Sequence, residues 1–93
     1  MNYGLALAGD ARADLRTIDI WLQEEVWDEL DLVAANPSLL AAAPPGKSAM
    51  HIFNRVAGGM TYCVVLTIIR NDATKTLTVL GINVEQIPHP PMG

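Results

Sequence analysis

The ten residues Thr61 to Arg70, TYCVVLTIIR, constrain the fold more than any other stretch. They are rich in β-branched residues and apolar on both faces, with Tyr62, Val64, Leu66 and Ile68 on one and Cys63, Val65 and Ile69 on the other. Such a strand needs a neighbour along each edge and cover over its faces, which places it in the middle of a sheet. Residues 49–56, AMHIFNRV, alternate as a strand before it, joined by the turn Ala57-Gly58-Gly59. Asn71-Asp72-Ala73-Thr74 forms the next turn, and KTLTVLGINV, 75–84, returns as a third strand. The second half of the chain therefore reads as an antiparallel meander.

The first half has a different period. Residues 3–8, YGLALA, read as a short buried strand, and Asp10 stands where a helix cap is expected. From there Ala11, Leu15, Ile18, Leu22, Val26, Leu30 and Val33 step by threes and fours, the spacing of a helical face turned to a core. Ile20 and Trp21 break the stripe. That break predicts a helix hairpin over 10–35, with helices at about 10–20 and 23–35, and Trp21 and Trp27 as packing anchors. Asn36-Pro37 ends the helical region, because the residue before proline avoids the helical basin. The expected fold class is α+β: an N-terminal strand, a helix hairpin and a three-stranded antiparallel meander completing one small sheet. One domain spans 1–93, with a linker at 37–48, strands over 49–84 and a loose proline-rich tail at 85–93.

Within the linker, Ala41 to Ser48, AAAPPGKS, fits a loose form of the phosphate-binding loop. That loop needs a strand before it and a helix after it, so that backbone N–H groups and a helix end converge on phosphate. Here helices precede and a strand follows, and Pro44 and Pro45 remove two of the donors. The stretch reads as a linker. No cofactor is expected. His51 and His89 lack an i, i+4 ligand pattern, the lone Cys63 excludes an internal disulfide, and it reads as an inert core thiol. No apolar run approaches the roughly 20 residues of a membrane span, and a basic secretory start is missing, so a cytoplasmic protein is expected.

Charge is unevenly distributed. Residues 1–36 carry eight acids against Arg12 and Arg16, a net −6, whereas residues 37–93 are at +2 and the whole chain at −4. The first half should repel nucleic acid and the second attracts it only faintly.

Four phrases, in order, resemble the bacterial RelE/ParE toxin superfamily. LALAGDARADLRTI is similar to that family's opening strand and its helix bearing Ala-x-x-Asp-Leu. LQEEVWDELDLVAANP is similar to its second helix, which closes on Asn-Pro. RVAGGMTYCVVLTI is similar to the phrase of an arginine, a glycine turn and Tyr-Arg-Val-Ile-Tyr-x-Ile, and KTLTVLGI to the last strand. The resemblance covers about residues 3–83. It implies a small cytoplasmic protein neutralised by a cognate antitoxin that wraps it. Many members cut messenger RNA on the ribosome, and others inhibit DNA gyrase.

The departures bear on chemistry. Where the family reads Tyr-Arg-Val this chain has Tyr62-Cys63-Val64, and the basic residues expected after the last strand are replaced by Gly81-Ile82-Asn83-Val84-Glu85. Losing the arginine removes a charge-assisted, bidentate phosphate contact. Arg55 and Tyr62 fall on family positions. Lys47, His51 and Arg70 match none, and these five are the candidate site residues. The reading that follows is a toxin-like component acting by protein binding, with nuclease chemistry weak or lost. Its alternatives are an active ribosome-dependent mRNA endoribonuclease using Lys47, His51, Arg55 and Arg70, and an orphan domain that self-associates. The face carrying Cys63, Val65, Thr67 and Ile69 would be apolar and open, so an antitoxin segment, a second copy or the tail should cover it.

Overall fold

The structure, a computed structural model, describes residues 2–40 and 46–88. Strand β1 (Gly4–Leu7) leads into helices α1 (Gly9–Arg16) and α2 (Ile20–Ala35), a 3₁₀ turn (Pro37–Leu40), and strands β2 (Ser48–Ala57), β3 (Met60–Asn71) and β4 (Thr76–Pro88). The four strands form one sheet in the order β1-β4-β3-β2. β2, β3 and β4 are the expected antiparallel meander, with β3 inside it. β1 adds to β4 in parallel, pairing Gly4 with Thr76 through Leu7 with Val79, which makes the sheet mixed.

The two helices cover one face of this sheet. Ala11, Leu22, Val26, Leu30 and Val33 of the predicted stripe are buried against Phe53, Val64, Leu66, Ile68, Leu77, Val79 and Ile82. The other face of β3, bearing Cys63, Val65, Thr67 and Ile69, is only partly covered. Cys63 is therefore a half-buried residue of the open face, rather than the core thiol expected.

Local chemistry accounts for the turns. Gly58 and Gly59 have φ of +60° and +74°. Two positive-φ residues between paired Ala57 and Met60 make the tight hairpin loop whose twist matches the strands. In the β3–β4 turn the Asn71 side-chain oxygen accepts from the N–H of Ala73 and of Thr74.

Four boundaries differ from expectation. α1 stops at Arg16 and α2 starts at Ile20, so the break falls at 17–19, before the expected gap between helices at 10–20 and 23–35. Ala8, not Asp10, precedes α1, and the Asp10 carboxylate sits in the first turn, where the helix dipole still favours it. Part of the linker is the 3₁₀ turn, which buries Leu40. The tail is not loose from 85: β4 pairs with β3 as far as Pro88, opposite Met60. Backbone pairing along a long β3 outweighs the local signal of the prolines. Trp21 and Trp27 are 36% and 41% exposed and neither belongs to the core cluster, so they are not the packing anchors expected.

A small polar knot closes the end of the sheet where β1 begins. Tyr3 Oη donates to Asp72 Oδ1 at 2.6 Å, and Arg70 Nε donates to the same oxygen at 2.6 Å. Arg70 Nη1 donates to the Pro37 carbonyl at 2.7 Å. The hydrogen bond from Tyr3, and then that from Arg70, holds the Asp72 carboxyl below its ordinary 3.8. The same bond to Asp72 raises the Tyr3 phenol above its ordinary 10.0. A depressed carboxyl stabilises the fold above its unfolded pKa and loses that contribution as pH falls through the folded value. A raised phenol stabilises below its unfolded pKa and loses it as pH rises. Tyr3→Phe should therefore flatten the fall in melting temperature in acid below about pH 4. A pH series of thermal melts checks this, and an acid limb as steep as the parent's would refute it.

Candidate functional site

β2 decides where the candidate cations go. Its side chains alternate, so Ala49, His51, Phe53 and Arg55 turn toward the helices while Ser48, Met50, Ile52, Asn54 and Val56 turn to the open face. His51 and Arg55 meet α2, where Glu25 and Glu29 lie one helical turn apart. Glu29 Oε2 lies 2.6 Å from His51 Nε2, and its Oε1 accepts from Arg55 Nη2 at 3.4 Å. Glu25 Oε2 accepts from Arg55 Nε at 3.0 Å. The bond to Glu25 is the largest influence holding the Arg55 guanidinium above its ordinary pKa. Arg55 also stacks on the Phe53 ring, 4.8 Å from its centre. Both candidate side chains are thus engaged from the helix layer, and Glu29 is only 12% exposed.

Tyr62 stands opposite Arg55 on β3, with its ring edge-on to Trp21 at 5.1 Å. Arg70 is eight residues further along β3, about 26 Å away, and belongs to the knot with Asp72 and Pro37. Lys47 is exposed just before Ser48, which pairs with Ile69, so it stands near the Arg70 end. The structure therefore brings together His51, Arg55 and Tyr62 and leaves Lys47 and Arg70 apart from them. Of the phosphate-loop pattern, residues 41–45 lie outside the described residues. Gly46 and Lys47 turn directly into the strand at Ser48, with no helix following.

The open face shows the consequence of the lost arginine. Cys63 lies between Asn54 of β2 and Glu85 of β4, and Val65 between Ile52 and Asn83. No open-face position of β2, β3 or β4 is Lys or Arg. Met50, Ile52, Val56 and Ile87 are 68%, 55%, 66% and 48% exposed and give this face its apolar character. Beside Tyr62, the hollow between the α1–α2 turn and β4 is lined by Asp14, Asp19, Asn83 and Gln86, again with no cation.

Asp14, in the Ala-x-x-Asp-Leu phrase, has a role that sequence reasoning missed. β4 carries a bulge: Thr67 pairs with Gly81 but Ile68 with Val79, leaving Leu80 as the extra residue. Past it, the Ile82 N–H donates to Asp14 Oδ2 at 3.0 Å, tying α1 to the strand. Asp14→Ala should cost about 1–3 kcal/mol by orphaning that N–H, whereas Asp14→Asn should cost less, since its amide oxygen still accepts. Urea midpoints of the two variants check the order, which equal losses would contradict. Glu25 and Glu29 were also missed. Their signal was two i, i+4 pairs, acids on α2 and bases on β2, written in separate elements.

No protein-family model matches the chain, and no curated protein sequence matches it. Among solved structures, Escherichia coli toxin RelE, an arginine-to-alanine double mutant in the free state, superposes with a TM-score of 0.64 at 19% identity, covering 89% of this chain and 83% of that one. The Mycobacterium tuberculosis RelBE2 toxin–antitoxin complex gives 0.64 at 14% identity, covering 91% and 93%. The intact Escherichia coli RelBE toxin–antitoxin complex gives 0.62 at 16%, covering 96% and 98%. The chain has a RelE-like toxin fold.

Proposed function

We propose that this chain is a toxin-like component of a bacterial toxin–antitoxin pair that acts in the cytoplasm by binding protein, with its RNA-cutting chemistry weak or lost. One observation carries the reading: on a RelE-like fold, the open sheet face holds no lysine or arginine, and the central-strand arginine position is Cys63, set across from Glu85. Cleaving a phosphodiester requires cations aimed at the charge that develops on the phosphate. Here His51 and Arg55 are committed to Glu29 and Glu25 on the covered side. The apolar open face is the surface a cognate antitoxin segment would cover, and two of the similar structures are toxin–antitoxin complexes. The same exposed Met50, Ile52, Val56 and Ile87 also favour a second reading, an orphan domain that self-associates through this face.

The test is induction of the chain in a bacterial host, with growth and messenger RNA integrity followed together. Arrest with intact messenger RNA, relieved by co-expressing the adjacent reading frame, is the expected result. Messenger RNA cleavage that disappears in Arg55→Ala would establish the endoribonuclease instead. Normal growth, with a dimer by sedimentation, would favour self-association.

A further inference from the structure

Strand β2 ends the sheet, and the direction of its backbone groups follows from the hairpin that joins it to β3. Ala57 and Met60 flank the two-residue loop, so they exchange both hydrogen bonds. Counting back by twos, Arg55, Phe53, His51 and Ala49 also turn their N–H and C=O groups to β3. Those of Ser48, Met50, Ile52, Asn54 and Val56 therefore turn outward. Among the described residues only the Asn54 carbonyl has a partner there, Arg55 Nη1 at 2.9 Å, which leaves it a second lone pair. The devices that blunt a sheet edge are missing. Ser48–Ala57 holds no proline or lysine, and its pairing with β3 is unbroken by a bulge. The outward residues also carry the open face, where Met50, Ile52 and Val56 are each more than half exposed.

We propose that this edge pairs with the same edge of a second copy of the chain, antiparallel about a two-fold axis at Ile52, giving one continuous eight-stranded sheet. In that register Ile52 meets the partner's Ile52, Met50 the partner's Asn54, and Ser48 the partner's Val56, each pair exchanging two hydrogen bonds. Charge argues for a second copy and selects the register. Each chain is at −4, yet the open side of this edge is uncharged, and on the covered side Arg55 falls opposite the partner's Ala49. Sliding the partner by two residues sets Arg55 against the partner's His51 in one direction and the partner's Lys47 in the other. Both neighbouring registers therefore oppose basic side chains. The proposal does not rest on the toxin reading, because an antitoxin segment lying on the open face leaves the strand edge free.

Cysteine cross-linking of the purified chain in a Cys63→Ser background tests it. Ile52→Cys should form an interchain disulfide on mild oxidation, because the two Cα atoms stand about 5.5 Å apart across the seam. Met50→Cys should not cross-link to itself, since its counterpart lies four residues, about 13 Å, further along. Mixed with Asn54→Cys, it should cross-link. By sedimentation the parent should be a dimer, and Ile52→Lys should weaken it roughly tenfold by setting two like charges face to face. Should Ile52→Lys not fold, the cross-links read the register without it. The proposal fails if the parent sediments as a monomer, if Ile52→Lys dimerises as well as the parent, or if Met50→Cys cross-links to itself as readily as Ile52→Cys. None of these readouts depends on toxicity, so they stand apart from the growth experiment.

Discussion

Leu30→Ala is expected to remove about 2–5 kcal/mol of stability, the largest loss from any single substitution considered. Leu30 is 0% exposed, and it lies on the face of α2 that packs against the covered side of the sheet. Truncation deletes three heavy atoms' worth of burial and leaves a hole that rigid strands on one side and a helix on the other cannot close. A domain this size has roughly 5–15 kcal/mol in total, so the variant should sit near the edge of folding at 37 °C. Leu32, two residues on, is 48% exposed, and Leu32→Ala should stay within about 0.5 kcal/mol. Urea unfolding with unchanged slope measures both. Equal midpoints for the two variants would contradict the helix-on-sheet packing.

The second large effect is expected at Glu29. Its carboxylate serves His51 with one oxygen and Arg55 with the other. Glu29→Ala should cost about 1–3 kcal/mol, because it leaves a half-buried imidazole and guanidinium short of an acceptor. Arg55 retains Glu25, which keeps the loss below that of a fully buried pair. Glu29→Ala and His51→Ala should be non-additive by at least about 0.5 kcal/mol, since each removes the same contact. Strict additivity in a double-mutant cycle would sink the assignment. Filter binding of RNA should be little changed in Glu29→Ala, because His51 and Arg55 leave β2 on the covered side and Arg55 keeps Glu25.

These expectations rest on features that differed in how far they could be read from residue order. The stripe from Ala11 to Val33 and the two apolar faces of β3 were legible because burial acts directly on residue type at helical and strand periods. The glycine hairpin was legible because positive φ at two successive residues selects Gly58-Gly59. The parallel pairing of β1 with β4 was not, since Gly4 and Thr76 are 72 residues apart and no local signal specifies a partner at that distance. The extension of β4 to Pro88 was hidden by its composition: prolines can lie on a strand wherever no N–H is demanded of them. In the candidate site, the alternation of His51 and Arg55 with buried Phe53 already said which way they point. The depletion of cations near Cys63 was plain as well. Their union with Glu25 and Glu29 was not legible, because it depends on how α2 lies across the sheet. Asp14's bond to Ile82 depended on a bulge that has no sequence marker of its own.

The lengths of the layers have a dynamic consequence. β3 has twelve residues and β4 thirteen, about 40 Å of ribbon, while α2 at sixteen residues covers about 24 Å. The end formed by Val56–Thr61 and Ile87–Pro88 therefore runs past the helical roof. It is held mainly by its own ladder, with Val56 and Ile87 facing solvent. Its amide protons should exchange by fraying of that end alone, at a free energy near zero and insensitive to denaturant. Those of Val64, Leu66 and Ile68 should wait for the whole molecule to open. The same sheet thus contains a rigid half that stores the stability and a loose tip that can change shape without spending it.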